Sequence, residues 1–166
     1  MYLQPSINRQ RLLIEKPTKV NNMGKEPFCE VDYDITGVTE FGSSFEELLM
    51  GKLEVPPEGF RANISFAGPI TGDIEGTVEG VDYLCTRADG RNELNVRAVI
   101  TTKDGKNISF EADGISAPQP DGTFKLAENV KLFSSHPEYM KYNGMQVWGI
   151  GTAKGMKIEI KFYSAI

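Results

Sequence analysis

Apolar and polar residues alternate in short runs along most of the chain, and turn residues separate the runs. Residues 28–36 predict a first strand, and beyond residue 57 the runs predict a series of strands joined by hairpins. The glycine-rich acidic segment 72–80 is interpreted as bends within a strand. The chain is therefore predicted to be mainly β. Four dipeptides mark the predicted hairpin turns: Asp89-Gly90, Asp104-Gly105, Asp121-Gly122 and Lys154-Gly155.

Two short helices are predicted between the strands. Ser44 and Glu47 belong to a capping-box pattern, which predicts a helix that ends near Gly51. Ser135 as an N-cap and Gly144 just past the end predict a second short helix.

The length of 166 residues favours a single domain. We expect residues 1–27 to form an N-terminal arm, in which Leu12-Leu13-Ile14 is the one apolar cluster and contributes at most one strand. Residues 28–166 are expected to form one domain.

The hairpin around Asp104-Gly105 separates apolar from polar residues, because the turn type fixes which side chains share a face. A three-residue loop, Lys103-Asp104-Gly105, puts only apolar pairs on one face: Ile100 with Ile108, Ala98 with Phe110 and Val96 with Ala112. The opposite face is almost entirely polar: Arg97 pairs with Glu111, and Asn95 pairs with Asp113.

The C-terminal hairpin is predicted in the same way. With Ala153-Lys154-Gly155 as its loop, Ile150 faces Ile158 and Trp148 faces Ile160. Two hairpins with one apolar and one polar face each predict a curved antiparallel sheet that closes into a barrel or a sandwich.

One acidic residue is predicted on the apolar side of the sheet. A three-residue loop at Ala88-Asp89-Gly90 pairs Asp82 with Val96, so that Asp82 points toward the apolar side, where Trp148 is also expected. A carboxylate in such a place is costly unless it is hydrogen-bonded or protonated. Asp82 is therefore a candidate acid or base. The alternative is structural: an aspartate that binds a turn at the start of a strand, just after Gly80.

Charged residues of the polar face allow two interpretations. Arg97 and Glu111 form either a cross-strand ion pair on a solvated face or, if that face points inward, part of a pocket with Asp113. Such a pocket would hold a carboxylate or an enolate through the guanidinium group.

His136 and Tyr139 are three residues apart on the second predicted helix and therefore share one side of it. Over a barrel mouth they would act as an acid–base pair, and the alternative is a helix-start histidine in water. Tyr83 and Trp148 are candidates for lining a ligand cavity.

Charge and composition exclude several classes of partner. Lys and Arg total 18 and Asp and Glu total 23, which gives a net charge of −5. Nucleic acids and anionic lipids attract clustered positive charge, so neither is expected as a partner. No apolar run approaches the ~20 residues of a membrane helix, and the N-terminus has no signal-peptide pattern. We therefore expect a cytoplasmic protein. With a single histidine and two cysteines, neither a metal site nor a cofactor is predicted.

The order and spacing of several short blocks resemble a bacterial family, the domain of unknown function 3237. The resemblance covers roughly residues 60–166 and implies a small antiparallel β-barrel, broadly like the calycin and allene-oxide-cyclase barrels, that is oligomeric. It implies no established reaction, and it singles out Asp82 and Arg97. The blocks that carry it are 68–72, 76–83, 88–90, 95–98, 104–105 and 114–115, followed by Phe133, Tyr139 and the strand containing Trp148.

We therefore expect a barrel that binds, or acts on, a small hydrophobic or aromatic organic acid or ketone. One alternative is a cofactor-independent isomerase, cyclase or hydratase-lyase, with Asp82 as the acid or base and Arg97 or Tyr139 stabilising an oxyanion. Another is a ligand-free interaction module. A homo-oligomer, either a dimer or a larger assembly, is expected in each case.

Overall fold

Eight antiparallel strands form a closed barrel in a computed structural model that describes Gly24 and residues 26–164. Each strand pairs with its neighbours in sequence, and the last strand pairs with the first. The expected antiparallel barrel is thus confirmed, whereas the arm with Leu12-Leu13-Ile14 lies outside the described residues. The strands are β1 (Cys29–Glu40), β2 (Phe60–Gly72), β3 (Gly76–Thr86), β4 (Asn92–Thr102), β5 (Asn107–Pro118), β6 (Phe124–Phe133), β7 (Val147–Lys154) and β8 (Lys157–Ser164).

A short helix, α1 (Phe45–Leu49), forms where the capping box predicted it. The Ser44 hydroxyl accepts a hydrogen bond from the Glu47 N–H group at 3.3 Å, which satisfies one of the free donors of the first turn. The left-handed backbone of Gly51, with φ of 65°, follows the helix. The Phe45 ring packs on Phe60 with 6.5 Å between ring centroids and thereby fixes α1 against the barrel.

The second predicted helix is shorter than expected, and Ser135 is not its N-cap. Only Met140–Gly144 is helical, and it is a 3₁₀ helix. The hydroxyl of Ser134, not of Ser135, accepts the His136 N–H group at 3.3 Å. The Asn143 side chain forms hydrogen bonds with both backbone groups of Ser134, at 2.8 and 2.9 Å, and so fixes the segment that leads into the helix. Tyr139 directly precedes the helix, and its side chain does not cap it.

The hairpin between β4 and β5 has the predicted register. Val96 pairs with Ala112 and Arg97 with Glu111, and the Thr102 N–H group donates to the Lys106 carbonyl oxygen at 2.9 Å. The pairing of Asp82 with Val96 across β3 and β4 is also confirmed.

Two predictions about local structure are wrong. The C-terminal turn has two residues rather than three, since Lys154 pairs with Lys157, and Ile150 therefore pairs with Lys161 on the outer face. Gly149 and Gly151 take the inward positions of β7, because a Cβ at Gly149 would lie within 3.2 Å of three side chains. The segment 72–80 is not one bent strand. Residues 73–75 form the turn between β2 and β3, and Ile74, the middle residue of this turn, is buried.

The barrel interior is packed at one end and hollow at the other. The packed end holds aromatic and branched side chains, among them Phe110 and Phe162, whose ring centroids are 5.7 Å apart. Apolar side chains surround the hollow end, and α1 lies against it: Phe45, Phe60, Ala62, Ile64, Leu84, Leu94 and Leu126. None of the helices in the described residues is long and apolar enough to cross a membrane.

Candidate functional site

The hollow end of the barrel contains a cavity that is partly open to solvent, and α1 forms part of its wall. The space between its lining atoms, including solvent at the mouth, is about 820 Å³, and the centres of water molecules can occupy about 90 Å³ of it. Most of the wall is apolar, from Phe45 and Leu48 of α1 to Ile160 of β8. Its polar residues are Tyr33, Asp82, Asn92, Ser116 and Glu128.

Two of these polar residues, Asn92 and Ser116, form a hydrogen bond with each other. The Asn92 amide donates to the Ser116 hydroxyl at 3.1 Å and accepts from the Thr86 hydroxyl at 2.7 Å. This chain of hydrogen bonds joins β3, β4 and β5. The cavity lining contains three further polar side chains, namely Tyr33, Asp82 and Glu128.

Asp82 points into the cavity, because alternate residues of β3 face the interior and Asp82 has the same parity as Val78 and Leu84. One carboxyl oxygen accepts a hydrogen bond from the Asn95 N–H group at 2.9 Å. Burial raises the pKa of Asp82 to about 6, although this hydrogen bond lowers it. The hydrogen-bond partner of Asp82 is thus a backbone group of the neighbouring strand and not of a turn. With a pKa of about 6, Asp82 is ionised at neutral pH.

Glu128 is a second carboxyl group in the same cavity, and the sequence analysis did not identify it. It lies on β6 between the inward-facing Leu126 and Val130 and is 5% exposed. Gly149 is its partner on β7, and a Cβ there would lie 3.1 Å from Glu128 Oε2, so the glycine leaves room for the carboxyl group. Within the described residues, no side chain or backbone group forms a hydrogen bond with it.

The surroundings of Glu128 favour its protonated form. Burial first, and then the negative charge of Asp82, raise its pKa from 4.5 to about 8. Asp82 loses its proton first, since Glu128 is still neutral at the pH where Asp82 ionises. At neutral pH the cavity therefore holds one carboxylate and one carboxylic acid.

Tyr33 is the third polar group, and it too was missed by the sequence analysis. The residue is 3% exposed, and its ring contacts Phe66 with 4.6 Å between ring centroids. Its hydroxyl group has no hydrogen-bond partner in the described part of the chain. Burial first, and then the charge of Glu128, raise the pKa of the phenol well above its ordinary value. The hydroxyl therefore remains a hydrogen-bond donor.

Most of the other residues suggested by the sequence lie on the outer face of the barrel. Arg97 Nη2 is 4.0 Å from Glu111 Oε2, and both side chains are about half exposed, as in a solvated cross-strand pair. Asp113 accepts from the Asn129 amide at 3.2 Å on the same face. The polar face thus points outward, so these residues do not line the cavity. Tyr83 and Trp148 are 48% and 39% exposed, also on the outer face.

His136 and Tyr139 lie at the packed end, far from the cavity. The Tyr139 hydroxyl donates to Asp104 Oδ1 at 2.8 Å. Hydrogen bonds from Thr102 and then from Tyr139 hold the pKa of Asp104 well below its usual range. His136 is exposed.

Of the residues predicted from the sequence, Asp82 alone lies in the same cavity as Glu128 and Tyr33. Among the described residues, no three metal-ligating side chains converge on one point.

Comparison with known proteins places the chain in a family. The model of the family described as protein of unknown function (DUF3237) matches residues 44–165, and the chain therefore belongs to this family. The match begins before residue 60, where the resemblance had been expected to start, and includes α1. Among curated proteins, none matches the sequence of this chain.

Solved structures share the fold at low sequence identity. A β-barrel-like protein from Acinetobacter baumannii is 18% identical with a TM-score of 0.70, covering 91% of this chain and 98% of that one. A conserved protein of unknown function from Rhodopseudomonas palustris is 18% identical with a TM-score of 0.71, covering 91% and 100%. An enzyme from Penicillium herquei is 18% identical with a TM-score of 0.61, covering 89% and 98%. At these identities the comparisons establish the barrel fold alone.

Proposed function

We propose that the protein is a cofactor-independent acid–base enzyme that acts on a small, neutral, largely apolar molecule in the barrel cavity. Asp82 in its ionised form removes a proton and later returns it, and protonated Glu128 donates a hydrogen bond to the negative charge that develops. The observation that carries the proposal is the pair of carboxyl groups with different surroundings in an otherwise apolar cavity. Proton removal and return is the step that isomerases, cyclases and hydratase-lyases share. The neighbour from Penicillium herquei is described as an enzyme, which agrees with catalysis on this fold.

The charges of the cavity favour a neutral ligand. Ionised Asp82 repels an anion, and no arginine or lysine is among the described residues that line the cavity. Arg97, which would have offset the charge of a carboxylate, lies on the outer face. Of the two ligand classes expected from the sequence, a ketone therefore suits the cavity better than an organic acid.

The cavity also limits the size of the ligand. The region open to water centres is about 90 Å³. At about 10–15 Å³ per water position, this is room for roughly six to nine waters, or for a molecule of roughly 180–270 Å³. A compact molecule with two fused rings has about this volume.

A chromogenic proton-abstraction reaction tests the proposal without the natural substrate. In 5-nitrobenzisoxazole, a neutral bicyclic molecule, a base removes the proton from C3, the C–H electron pair completes a nitrile, and the ring N–O bond breaks. The single product is a coloured cyanophenoxide. We expect the protein to accelerate this elimination over acetate at equal concentration. The rate should rise with pH through about 6, as Asp82 ionises.

Variants with matched charge changes identify the base. Asp82→Asn should reduce the rate to background, because the amide cannot accept the proton. Glu79→Gln, on the exposed outer face of the same strand, should retain the wild-type rate. Binding of 5-nitrobenzisoxazole without turnover would refute the enzymatic proposal and favour a ligand-binding barrel. Undiminished turnover in Asp82→Asn would remove Asp82 from the mechanism.

A further inference from the structure

Three polar groups face the cavity without forming a network with one another, and their hydrogen-bonding capacities differ. Tyr33 offers an O–H donor that has no partner among the described residues. Glu128, in its protonated form, offers a second O–H donor and has no hydrogen bond within the described chain. Asp82 offers acceptor oxygens and is held in place by the Asn95 N–H group.

We propose that the cavity binds a neutral carbonyl compound and stabilises its enolate, with the carbonyl oxygen between Tyr33 and Glu128 and the adjacent C–H group toward Asp82. This inference rests on the proposed function and specifies its substrate class. A carbonyl oxygen has two lone pairs and no proton to donate, so it complements two donors that line the same cavity. The carboxylate then complements the acidic hydrogen on the neighbouring carbon.

Burial of each donor supports this assignment. Tyr33 is 3% exposed, and its hydroxyl is buried without a hydrogen-bond partner among the described residues. Glu128 is 5% exposed and lines the same cavity. An unpaired buried hydroxyl destabilises the protein, and its persistence is explained if a ligand oxygen completes its hydrogen bond. Contact with Phe66 fixes the Tyr33 ring, while Gly149 leaves space beside the Glu128 carboxyl. The donors are therefore held in position before a ligand binds.

The ionisation states of the three groups are compatible with one another. The charge on Asp82 discourages ionisation of Glu128, and the charge on Glu128 would discourage ionisation of Tyr33. When Asp82 is ionised, the other two groups therefore stay protonated. A carboxyl group that an apolar site keeps neutral can donate a hydrogen bond to a developing oxyanion.

The proton transfer balances within the site. An Asp82 oxygen takes the proton from the carbon next to the carbonyl group. The C–H electron pair forms a carbon–carbon double bond, and the carbonyl π pair moves onto the oxygen, where two O–H groups stabilise the negative charge. Protonated Asp82 then returns the proton to the same carbon, or to the γ-carbon of an unsaturated ketone. The first path exchanges the hydrogen on this carbon or inverts the configuration of the carbon. The second path moves the double bond of the unsaturated ketone.

Hydrogen–deuterium exchange of 2-tetralone tests the substrate class. This neutral bicyclic ketone has acidic hydrogens beside its carbonyl group, and their loss in D₂O is followed by proton NMR. We expect the protein to accelerate the exchange and Asp82→Asn to abolish the acceleration. Tyr33→Phe should lower kcat by about 10²-fold with a much smaller effect on KM, as for loss of one donor to an oxyanion. Tyr163→Phe, on the outer face of β8, should match the wild type.

Two further measurements separate a catalytic from a structural role of Tyr33. The urea midpoint of Tyr33→Phe should not fall, since the hydroxyl forms no hydrogen bond within the described residues. The enol analogue 2-naphthol should bind the wild type more tightly than naphthalene, and Tyr33→Phe should weaken 2-naphthol binding about tenfold. The affinity for naphthalene reports whether the cavity is intact in the variant.

The outcomes distinguish the two proposals. Turnover of 5-nitrobenzisoxazole without exchange of 2-tetralone would refute the carbonyl substrate class and leave acid–base catalysis standing. Exchange that is undiminished in Tyr33→Phe would refute the role of Tyr33. Absence of both reactions would overturn the proposed function together with this inference.

Discussion

The buried carboxyl group of Glu128 should make the stability of the protein depend steeply on pH. Its pKa is 4.5 ordinarily and about 8 in the folded barrel, because burial and then the charge of Asp82 disfavour the ionised form. Between these pH values the folded state binds the proton and the unfolded chain has released it. The contribution of Glu128 to stability is therefore complete below about pH 4.5 and is lost as the pH rises to about 8.

The pKa values give the size of the effect. At about 1.36 kcal/mol for each pH unit, the interval for Glu128 corresponds to on the order of 5 kcal/mol of unfolding free energy. Asp82, with a pKa raised from 3.8 to about 6, adds on the order of 3 kcal/mol, but its contribution is lost before pH 7. Above about pH 6.5 the decline should therefore come from Glu128.

Urea unfolding followed by circular dichroism between pH 5 and pH 9 measures this decline. From pH 6.5 to pH 8, the wild type should lose about 2 kcal/mol, whereas Glu128→Gln should stay level, because glutamine has the same shape and does not titrate. Glu79→Gln, which changes an exposed carboxyl group, should follow the wild type. A wild-type curve that is flat over this range, or a Glu128→Gln curve that falls as steeply, would refute the assignment of Glu128 as a buried acid.

Two further substitutions test the supports of the cavity. Gly149→Ala places a Cβ 3.1 Å from Glu128 Oε2 and from Phe162 Cε1. We expect a loss of about 1–3 kcal/mol in urea unfolding and weaker binding of 2-naphthol; unchanged values would mean that the glycine is not needed for space. Ser44→Ala removes the cap of α1 and should cost the helix about 1 kcal/mol, seen as faster amide exchange at Glu47. Unaltered exchange there would show that packing of Phe45 alone holds the helix.

The sequence predicts the fold best where a tight turn sets the register. Around Gly105 the alternation of apolar and polar residues agrees with only one loop length, and the structure has that register. On β7 the same reasoning fails, because Gly149 and Gly151 occupy the inward positions while Trp148 and Ile150 face outward. Glycines carry no hydrophobic signal, so the pattern assigned the large side chains to the interior.

The three polar residues of the candidate site also differ in how far the sequence predicts them. Asp82 belongs to a hairpin of fixed register, so its acidic side chain stands out among inward-facing apolar residues. Glu128 has the same parity as Leu126 and Val130, and this alternation alone would have revealed it. Its partner on β7 could not be predicted, because a 13-residue connection, 134–146, follows β6 and does not fix a register. Tyr33 reaches the cavity only through closure of β1 on β8, which is a pairing of distant residues.

The packed end of the barrel stabilises the fold, whereas the hollow end holds the polar groups of the proposed site. Holding Tyr33, Asp82 and Glu128 in an apolar cavity destabilises the hollow end, because each group loses water and gains few or no protein partners. The packed end offsets this cost by burying side chains such as Ile100, Ile108 and Phe110, each of which contributes about 1.5–3 kcal/mol. The same strands run through both ends, so the packed half fixes the direction of the polar side chains in the hollow half. Replacing Glu128 with an apolar residue of similar size should therefore stabilise the barrel above pH 8 while it removes the proposed acid.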